Sequence, residues 1–417
     1  MTRFIVAGLI LLGWTACKPE TETQNILKTG MWRAVVEIQD QQLPFNFEVS
    51  RDEKGGYDVH IINGEERLLL DEVEVRDDSV DITLHIFDAN IRAQIAGDSL
   101  QGVFVKNFAK DYQLPFVAVY GQEYRFPKTN TPEKTEDFSG KYEVTFFRGT
   151  DEKKAVAIFN QSGDVVTGTF LTATGDYRYL SGNAAGRTMK LSSFDGDNIY
   201  LFHATLQQDG KLQGEFYSGK TRRETWVAVK NDNVSPPDHE SQTYLKEGYE
   251  RISFSFPDVN GKKVSLGDEK YKGKVVIVQL LGTWCPNCLD ETKFLVPWYK
   301  ENKDRGVEII GLAYENKDDF DYASVRVKKM MDKIGVQYDV LIAGTTNRET
   351  RGKTLPMLND ITAFPTTIII GKDGTVRKIH TGFTGPGTGE YFEQFKKDFN
   401  ETVDALLREG LTAESRK

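Results

Sequence analysis

The sequence predicts a multi-domain protein in which two all-β modules, each a sandwich or barrel, precede an α/β domain. The chain has 417 residues, and at roughly 150 residues per domain this length suggests about three domains. Residues 30–229 consist of short alternating apolar and polar runs broken by Gly, Asp and Asn, which is typical of half-buried strands. After residue 254, apolar runs alternate with helix-like stretches, as in an α/β domain.

The overall composition excludes several classes of protein. Lys and Arg number 53 and Asp and Glu number 62, so the formal net charge is −9. This acidic balance argues against a nucleic-acid-binding protein and against a polybasic membrane-surface patch. The mean hydropathy of −0.46 excludes a polytopic membrane protein, and three cysteines are too few for a scaffold held together by disulfides.

Residues 1–17 have the layout of an export signal. Arg3 precedes an apolar run at 4–12, and small residues stand directly before Cys17. The run is shorter than the ~20 residues needed to span a bilayer. The segment resembles a bacterial lipoprotein signal, which implies lipidation of Cys17, although Trp14 departs from the usual pattern. A plain secretory signal and a short hydrophobic anchor are the alternatives, and each places the protein outside the cytosol.

Residues 28–123 and 139–230 are predicted to be two copies of one β module. The tetrapeptide FVAV at 116–119 recurs as WVAV at 226–229, and Gly30 aligns with Gly140. A repeat spacing of about 110 residues suits a duplicated sandwich or barrel and is too long for a solenoid. The remaining boundaries are a tether at 18–27, linkers at 124–138 and 231–247, an α/β domain at 248–410 and a tail at 411–417.

The sequence GTWCPNC at 282–288 is the feature that indicates chemistry. It follows an apolar run typical of a buried strand and precedes a helix-like stretch. The N-terminus of a helix carries a partial positive charge, which favours the thiolate of a cysteine placed there. We therefore expect Cys285 to attack a substrate disulfide and Cys288 to resolve the mixed disulfide. Trp284 is expected to shield the sulfur from water.

The cysteine pair has three other interpretations. A structural zinc site needs about four ligands, and His60, His85, His203 and His239 have no ligand spacing. Haem attachment requires His directly after the second cysteine, where this chain has Leu289. A structural disulfide in so short a loop would constrain little of the unfolded chain. The redox interpretation is favoured, and neither a metal nor a cofactor is predicted.

The segment from about 254 to 407 resembles a thioredoxin-like domain of the TlpA/ResA family of extracytoplasmic thiol–disulfide oxidoreductases. The matching segments are FPDVNGKKVSL at 256–266, GKVVIVQLLGTWCPNC at 273–288 and AFPTT at 363–367. The resemblance implies that Pro365 is a cis-proline that lies against the disulfide and presents the preceding backbone to substrate. The alternative is an ordinary trans proline at the start of a strand.

The resemblance also assigns a role to an acidic residue after the cysteines. Glu291 matches the residue that raises the thiol pKa or accepts the proton of Cys288 in ResA-like proteins. An exposed glutamate on the helix surface is the alternative. Thioredoxin itself carries a buried aspartate where this chain has Gln279, which cannot transfer protons. Glu291 is therefore the expected proton-transfer residue, with Asp290 as a second candidate.

The predicted function is that of a lipid-anchored, periplasm-facing disulfide reductase of the cell envelope, on the inner or the outer membrane. The resemblance implies exported proteins as substrates, for example apocytochrome c or metal-chaperone cysteines, and a membrane thiol electron donor of the CcdA/DsbD kind. One alternative is a disulfide oxidase or isomerase that uses the same dithiol. Another is a binding lipoprotein whose β modules carry the function, with an accessory redox domain.

Overall fold

The computed structural model describes residues 26–84, 87–128 and 134–409. The predicted signal peptide with Cys17, most of the tether, His85, part of the first linker and the tail lie outside the described residues. In the described ranges, none of the helices combines the length and apolar character needed to cross a bilayer. The predicted fold class is confirmed, because two all-β barrel-like sheets are followed by a thioredoxin-like domain with a mixed sheet and helices.

The first module is a nine-stranded antiparallel sheet. Its strands are β1 (Gly30–Ile38), β2 (Gln41–Arg51), β3 (Tyr57–Asn63), β4 (Glu66–Leu70), β5 (Val73–Arg76), β6 (Ser79–Leu84), β7 (Ala89–Ala96), β8 (Ser99–Lys106) and β9 (Gln113–Tyr120). They lie in the order β4-β3-β2-β1-β9-β8-β7-β6-β5. Successive side chains of a strand point to opposite faces of the sheet. In β6, Val80, Ile82 and Leu84 accordingly point into the core and the residues between them do not.

The second module repeats this arrangement. Its strands are β10 (Gly140–Arg148), β11 (Asp151–Ser162), β12 (Val165–Thr172), β13 (Gly175–Asp176), β14 (Leu180–Ala185), β15 (Thr188–Phe194), β16 (Ile199–Leu206), β17 (Leu212–Ser218) and β18 (Arg222–Lys230). The first strand again lies between the second and the last, and a β11–β12 pairing closes the sheet. Gly30 and Gly140 open the two modules with φ angles of 120° and 123°, a backbone region that favours glycine.

Aromatic side chains fill the interior of the second module. Phe146, Phe170, Phe202, Phe216 and Trp226 are buried in one core cluster, and the rings of Phe202 and Phe216 stack with their centroids 4.4 Å apart. Offset and edge-to-face aromatic pairs add to the stabilisation that burial alone provides. The interior is therefore a packed core, and the surfaces of the modules are the parts left to interact.

The third domain contains a five-stranded mixed sheet in the order β23-β22-β21-β24-β25. The strands of this sheet are β21 (Val275–Leu281), β22 (Val307–Glu315), β23 (Asp339–Thr345), β24 (Thr366–Ile370) and β25 (Val376–Thr381). The domain also contains a separate two-stranded sheet of β19 (Ser255–Pro257) and β20 (Lys263–Ser265). Its helices are α1 (Pro286–Asn302), α2 (Phe320–Ile334), α3 (Arg348–Arg351) and α4 (Glu390–Arg408). All residues of β21, β22 and β24 are buried, as expected of central strands covered on both faces.

Ion pairs join the third domain to both β modules. Arg178 of the second module donates to Asp195 of its own module and to Glu66 of the first module, at 2.7 and 2.5 Å. Its Nε atom lies 2.7 Å from Oδ2 of Asp290 in α1. At the first module, the hydroxyl of Tyr322 in α2 donates to Asp88, and Lys329 of the same helix forms an ion pair with Glu72 at 2.7 Å. The beginning of α1 consequently faces the two β modules.

Candidate active site

The cysteine pair lies where β21 ends and α1 begins. Cys285 is the N-cap residue of α1, and it forms a disulfide with Cys288 in the first turn. The backbone N–H of Cys288 donates to Sγ of Cys285 at 3.2 Å. Cys285 is 5% exposed and Cys288 is 1% exposed. Cys285 is thus the more accessible residue of the pair, and the partial positive charge of the helix N-terminus lies beside it.

Pro365 and two aromatic side chains lie next to Cys285. The Phe364–Pro365 peptide bond is cis, and the carbonyl oxygen of Phe364 lies 3.6 Å from Sγ of Cys285. The indole N–H of Trp284 donates to the carbonyl of Tyr314 at 2.9 Å, and its ring meets the ring of Phe364 edge-on. The half-buried Trp284 and Phe364 side chains therefore lie beside Cys285.

Glu291 is buried behind the cysteine pair, with 1% of its surface exposed. The alternative of an exposed helix glutamate is therefore wrong. Oε1 accepts a hydrogen bond from the Thr367 hydroxyl at 2.6 Å, and Oε2 accepts one from the Gln279 amide at 2.8 Å. Burial raises the pKa of Glu291 to about 7, although both hydrogen bonds favour the ionised form. A carboxyl group with this pKa can both accept and release a proton near neutral pH.

Gln279 and Thr367 lie on two adjacent strands of the sheet, and both donate hydrogen bonds to Glu291. Gln279 lies on β21 and is fully buried, and Thr367 is its antiparallel partner on β24. The sequence shows that Gln279 cannot replace an acid, but it does not reveal the hydrogen bond to Glu291. The sequence does not by itself mark Thr367 as a partner of Glu291, and the one signal for it is its place two residues after Pro365 in the AFPTT segment.

Asp290, the second candidate for proton transfer, is engaged elsewhere. Both of its carboxylate oxygens accept hydrogen bonds from Arg178, at 2.7 and 2.9 Å. This bidentate pair turns Asp290 toward the β modules, whereas Glu291 turns toward the sheet. The geometry therefore turns Glu291, and not Asp290, toward β21, the strand that leads into the cysteine motif.

The second β module contributes residues beside the cysteine motif that the sequence did not indicate. The backbone oxygen of Asp176 accepts from the Asn287 side chain at 3.0 Å, and its carboxylate accepts from the backbone N–H of Gly385 at 2.5 Å and of Arg178 at 2.6 Å. Burial raises the pKa of Asp176 to about 6. No local pattern marks this segment, because its partners Asn287 and Gly385 are more than a hundred residues away in sequence.

The four histidines that the structure describes are spread over separate elements. His239 in the second linker stacks on His380 of β25 with ring centroids 4.8 Å apart, whereas His60 and His203 lie on separate strands of the two β modules. Within the ranges that the structure describes, no group of three or more His, Cys, Asp or Glu side chains is arranged to hold a metal ion.

The α/β domain has clear relatives. Residues 248–379 match the AhpC/TSA family. The thiol-disulfide oxidoreductase ResA of Bacillus subtilis (strain 168) is 31% identical over 138 residues, which are 33% of this chain and 69% of that protein. ResA of Bacillus anthracis is 31% identical over 153 residues, or 37% of this chain and 78% of that protein.

A thioredoxin-family thiol:disulfide interchange protein from Chlorobium tepidum TLS has a solved structure that is similar to part of this chain. It is 27% identical, and the match covers 39% of this chain and 99% of that chain with a TM-score of 0.30. The relationship to ResA is carried by the domain that contains the cysteine pair, Glu291 and Pro365. Through this domain, the chain belongs to the ResA family of thiol–disulfide oxidoreductases.

Proposed function

We propose that the protein is an extracytoplasmic disulfide reductase that uses Cys285 as its nucleophile and Cys288 as its resolving thiol. The observation that carries this proposal is the position of the pair. The disulfide lies at the N-terminus of α1, with the more exposed sulfur at the N-cap and the more buried one beside the helix core. Glu291 is three residues after Cys288 on the same helix, and side chains with this spacing share a helix face.

The proposed reaction transfers two electrons from the dithiol to the substrate. The Cys285 thiolate attacks one sulfur of a substrate disulfide, so a mixed disulfide forms and one substrate thiolate leaves. Cys288 then releases its proton to Glu291 and attacks Sγ of Cys285. This step frees the second substrate thiolate and leaves the Cys285–Cys288 disulfide. The two substrate thiolates take up protons, one of which Glu291 can return by way of solvent.

The reducing direction is supported by the charge around the pair. Glu291 lies one helical turn after Cys288, and its buried carboxyl group, when ionised, disfavours a neighbouring thiolate and so opposes the stabilisation that the helix N-terminus provides. A dithiol whose thiolate is poorly stabilised loses electrons readily, whereas strong oxidants stabilise their reduced form. An oxidase or isomerase that uses the same dithiol is the competing proposal, and the reduction potential separates the two.

We expect the Cys285–Cys288 pair to have a reduction potential near the thioredoxin value of about −270 mV. Residues 18–417 contain only these two cysteines, so the protein can be equilibrated in dithiothreitol buffers and its free thiols counted by alkylation and mass spectrometry. A potential near about −120 mV would contradict the reductase proposal and favour an oxidase. Absence of a reversible two-thiol transition would contradict both.

The substrates that fit this proposal are disulfides of exported proteins, such as apocytochrome c or metal-chaperone cysteines. Each turnover leaves the pair oxidised, so a reductase needs a source of electrons. A membrane thiol donor of the CcdA/DsbD kind is proposed for this role. The support for these partners is the family relationship and the requirement for re-reduction.

We also propose that the chain is held at the membrane by lipid on Cys17. Expressed in a Gram-negative host, the wild-type protein should partition into the detergent phase of Triton X-114, and the Cys17→Ser variant should partition into the aqueous phase. Disulfide reduction by the two proteins should be equal, since Cys17 takes no part in the chemistry. Wild-type protein in the aqueous phase would indicate a plain secretory signal, and both proteins in the detergent phase would indicate a hydrophobic anchor.

A further inference from the structure

The end of the redox domain that carries the disulfide is covered by the β modules. Pro286, Leu289 and Asp290 in the first two turns of α1 are all buried. Leu289 is 2% exposed and belongs to a core cluster formed mainly by the first β module, with additional residues from the second. A cysteine pair at a helix N-terminus needs an accessible face to react with a protein, and here one side of that face is occupied.

Residues 174–178 of the second module cover this side, and we name them the capping loop. The loop holds Asn287 of the cysteine motif through the backbone oxygen of Asp176. It also packs against the segment that follows β25. A Cβ atom on Gly382 would lie 2.4 Å from the carbonyl carbon of Thr174, so the two backbones are in direct contact. The backbone N–H of Gly382 in turn donates to the carbonyl of Pro365 at 2.7 Å.

Arg178 fixes the capping loop in place. Its φ angle is 54°, a region that non-glycine residues rarely occupy, and its side chain is 2% exposed. The guanidinium group pairs with three carboxylates, those of Glu66, Asp195 and Asp290, which belong to the three different domains. A strained backbone and a buried charge persist only where surrounding contacts determine them. Arg178 is thus built to hold α1 against both modules.

The access that remains to Cys285 is narrow. The capping loop contacts Asn287, the segment after β25 contacts Pro365, and the half-buried Trp284 and Phe364 side chains lie beside Cys285. Only 5% of Cys285 is exposed. The flat surface of a folded protein cannot bring a sulfur atom into this opening, whereas an extended segment can. The two aromatic rings favour a segment with apolar residues next to its cysteine.

We infer that the capping loop makes the second β module part of the substrate site, and that Arg178 is a positioning residue which restricts the enzyme to cysteines on extended, unfolded segments. This inference rests on the proposed reductase function and deepens it. The β modules then act as a filter on substrate conformation. They are neither a separate binding protein nor an inert spacer.

The test compares two chromogenic substrates with the reduced full-length enzyme. A short unstructured peptide and a folded carrier domain each carry one cysteine linked to 5-thio-2-nitrobenzoate, whose release is followed by absorbance. Hydroxyethyl disulfide serves as a small substrate that reports intrinsic thiol reactivity. Wild-type enzyme should react at least about tenfold faster with the peptide than with the carrier, which corresponds to about 1.4 kcal/mol of discrimination.

The Arg178→Met variant should lose this discrimination. Without the guanidinium, the carboxylates of Glu66, Asp195 and Asp290 have no common partner, so the capping loop should separate from α1. The rate with the folded carrier should rise about tenfold, and the rates with the peptide and with hydroxyethyl disulfide should change little. Lys106→Met is the matched control, because Lys106 pairs with Asp197 between the two β modules and, among the residues that the structure describes, makes no ion pair with the redox domain. It should retain the wild-type discrimination.

Several outcomes would overturn the inference. Wild-type enzyme that reacts equally with peptide and carrier has no conformational filter, and this result does not depend on any variant folding. An Arg178→Met enzyme with unchanged discrimination, or with all three rates raised equally, would show that Arg178 does not control access. Failure of the wild-type enzyme to reduce hydroxyethyl disulfide would instead remove the proposed reductase function, and the inference with it.

Discussion

A Cys288→Ser variant should accumulate a covalent mixed disulfide between Cys285 and its substrate, whereas a Cys285→Ser variant should form none. The reason is the unequal exposure of the two sulfur atoms. Cys285 lies at the N-cap of α1 beside the carbonyl of Phe364, and Cys288 is 1% exposed inside the first turn. The adduct can be measured by electrophoresis without reductant and by intact-protein mass spectrometry after reaction with an unstructured disulfide peptide.

Both variants should lose catalytic turnover by at least about 1,000-fold, the scale on which removal of a nucleophile acts in other enzymes. Cys17→Ser is the matched control, since it replaces a cysteine outside the α/β domain and should keep full activity. Accumulation of the adduct in Cys285→Ser and not in Cys288→Ser would reverse the assigned roles. No adduct with either variant would contradict the proposed reaction.

The local character of the strands could be predicted from the sequence, but their arrangement could not. Alternation at Val80, Ile82 and Leu84 shows which face of β6 is buried. It does not show that the first strand of the module pairs with the ninth, because that contact joins Trp32 to Tyr120 across most of the module. Alternation of apolar and polar residues shows which face of a strand is buried, but it does not show which other strand it pairs with. The two barrel-like sheets therefore cannot be predicted until the long-range strand pairs are known.

The candidate site divides in the same way. Cys285, Cys288, Glu291 and Pro365 could be selected from short motifs and their family resemblance. Arg178 could not, because it meets Asp290 across 112 positions of sequence and belongs to a region whose pattern indicates only strands. The residues proposed to carry the chemistry therefore lie in short sequence segments of the α/β domain. The control of substrate access to Cys285 that we propose depends instead on tertiary contacts.

Replacing Glu291 with Gln should stabilise the oxidised protein at high pH. The ordinary pKa of a glutamate is 4.5, and burial raises that of Glu291 to about 7. Between these pH values the folded state binds more protons than the unfolded state, so the free energy of unfolding falls as pH rises from about 4.5 to about 7 and is then constant. The difference in pKa corresponds to about 3 kcal/mol for this fully buried group.

Gln has no charge to bury and is the size of Glu, so the variant should lack this decline. Its free energy of unfolding should match that of the wild type at about pH 4 and exceed it by up to about 3 kcal/mol at about pH 8, as measured by urea denaturation. Glu301→Gln is the matched control, because Glu301 lies on the same helix and is exposed. It should leave the pH dependence of stability unchanged.

The same variant should be a poorer enzyme. Without an acid of pKa about 7 to take the proton of Cys288, resolution of the mixed disulfide should slow by about 100-fold, which is within the usual range for loss of general acid–base catalysis. Its rate should also lose the inflection near neutral pH. A glutamate with a purely structural role would behave otherwise, because its replacement would lower stability and leave the pH profile of the rate intact. Opposite changes in stability and rate are expected where a protein buries an acid for chemistry, at a cost to the folded state.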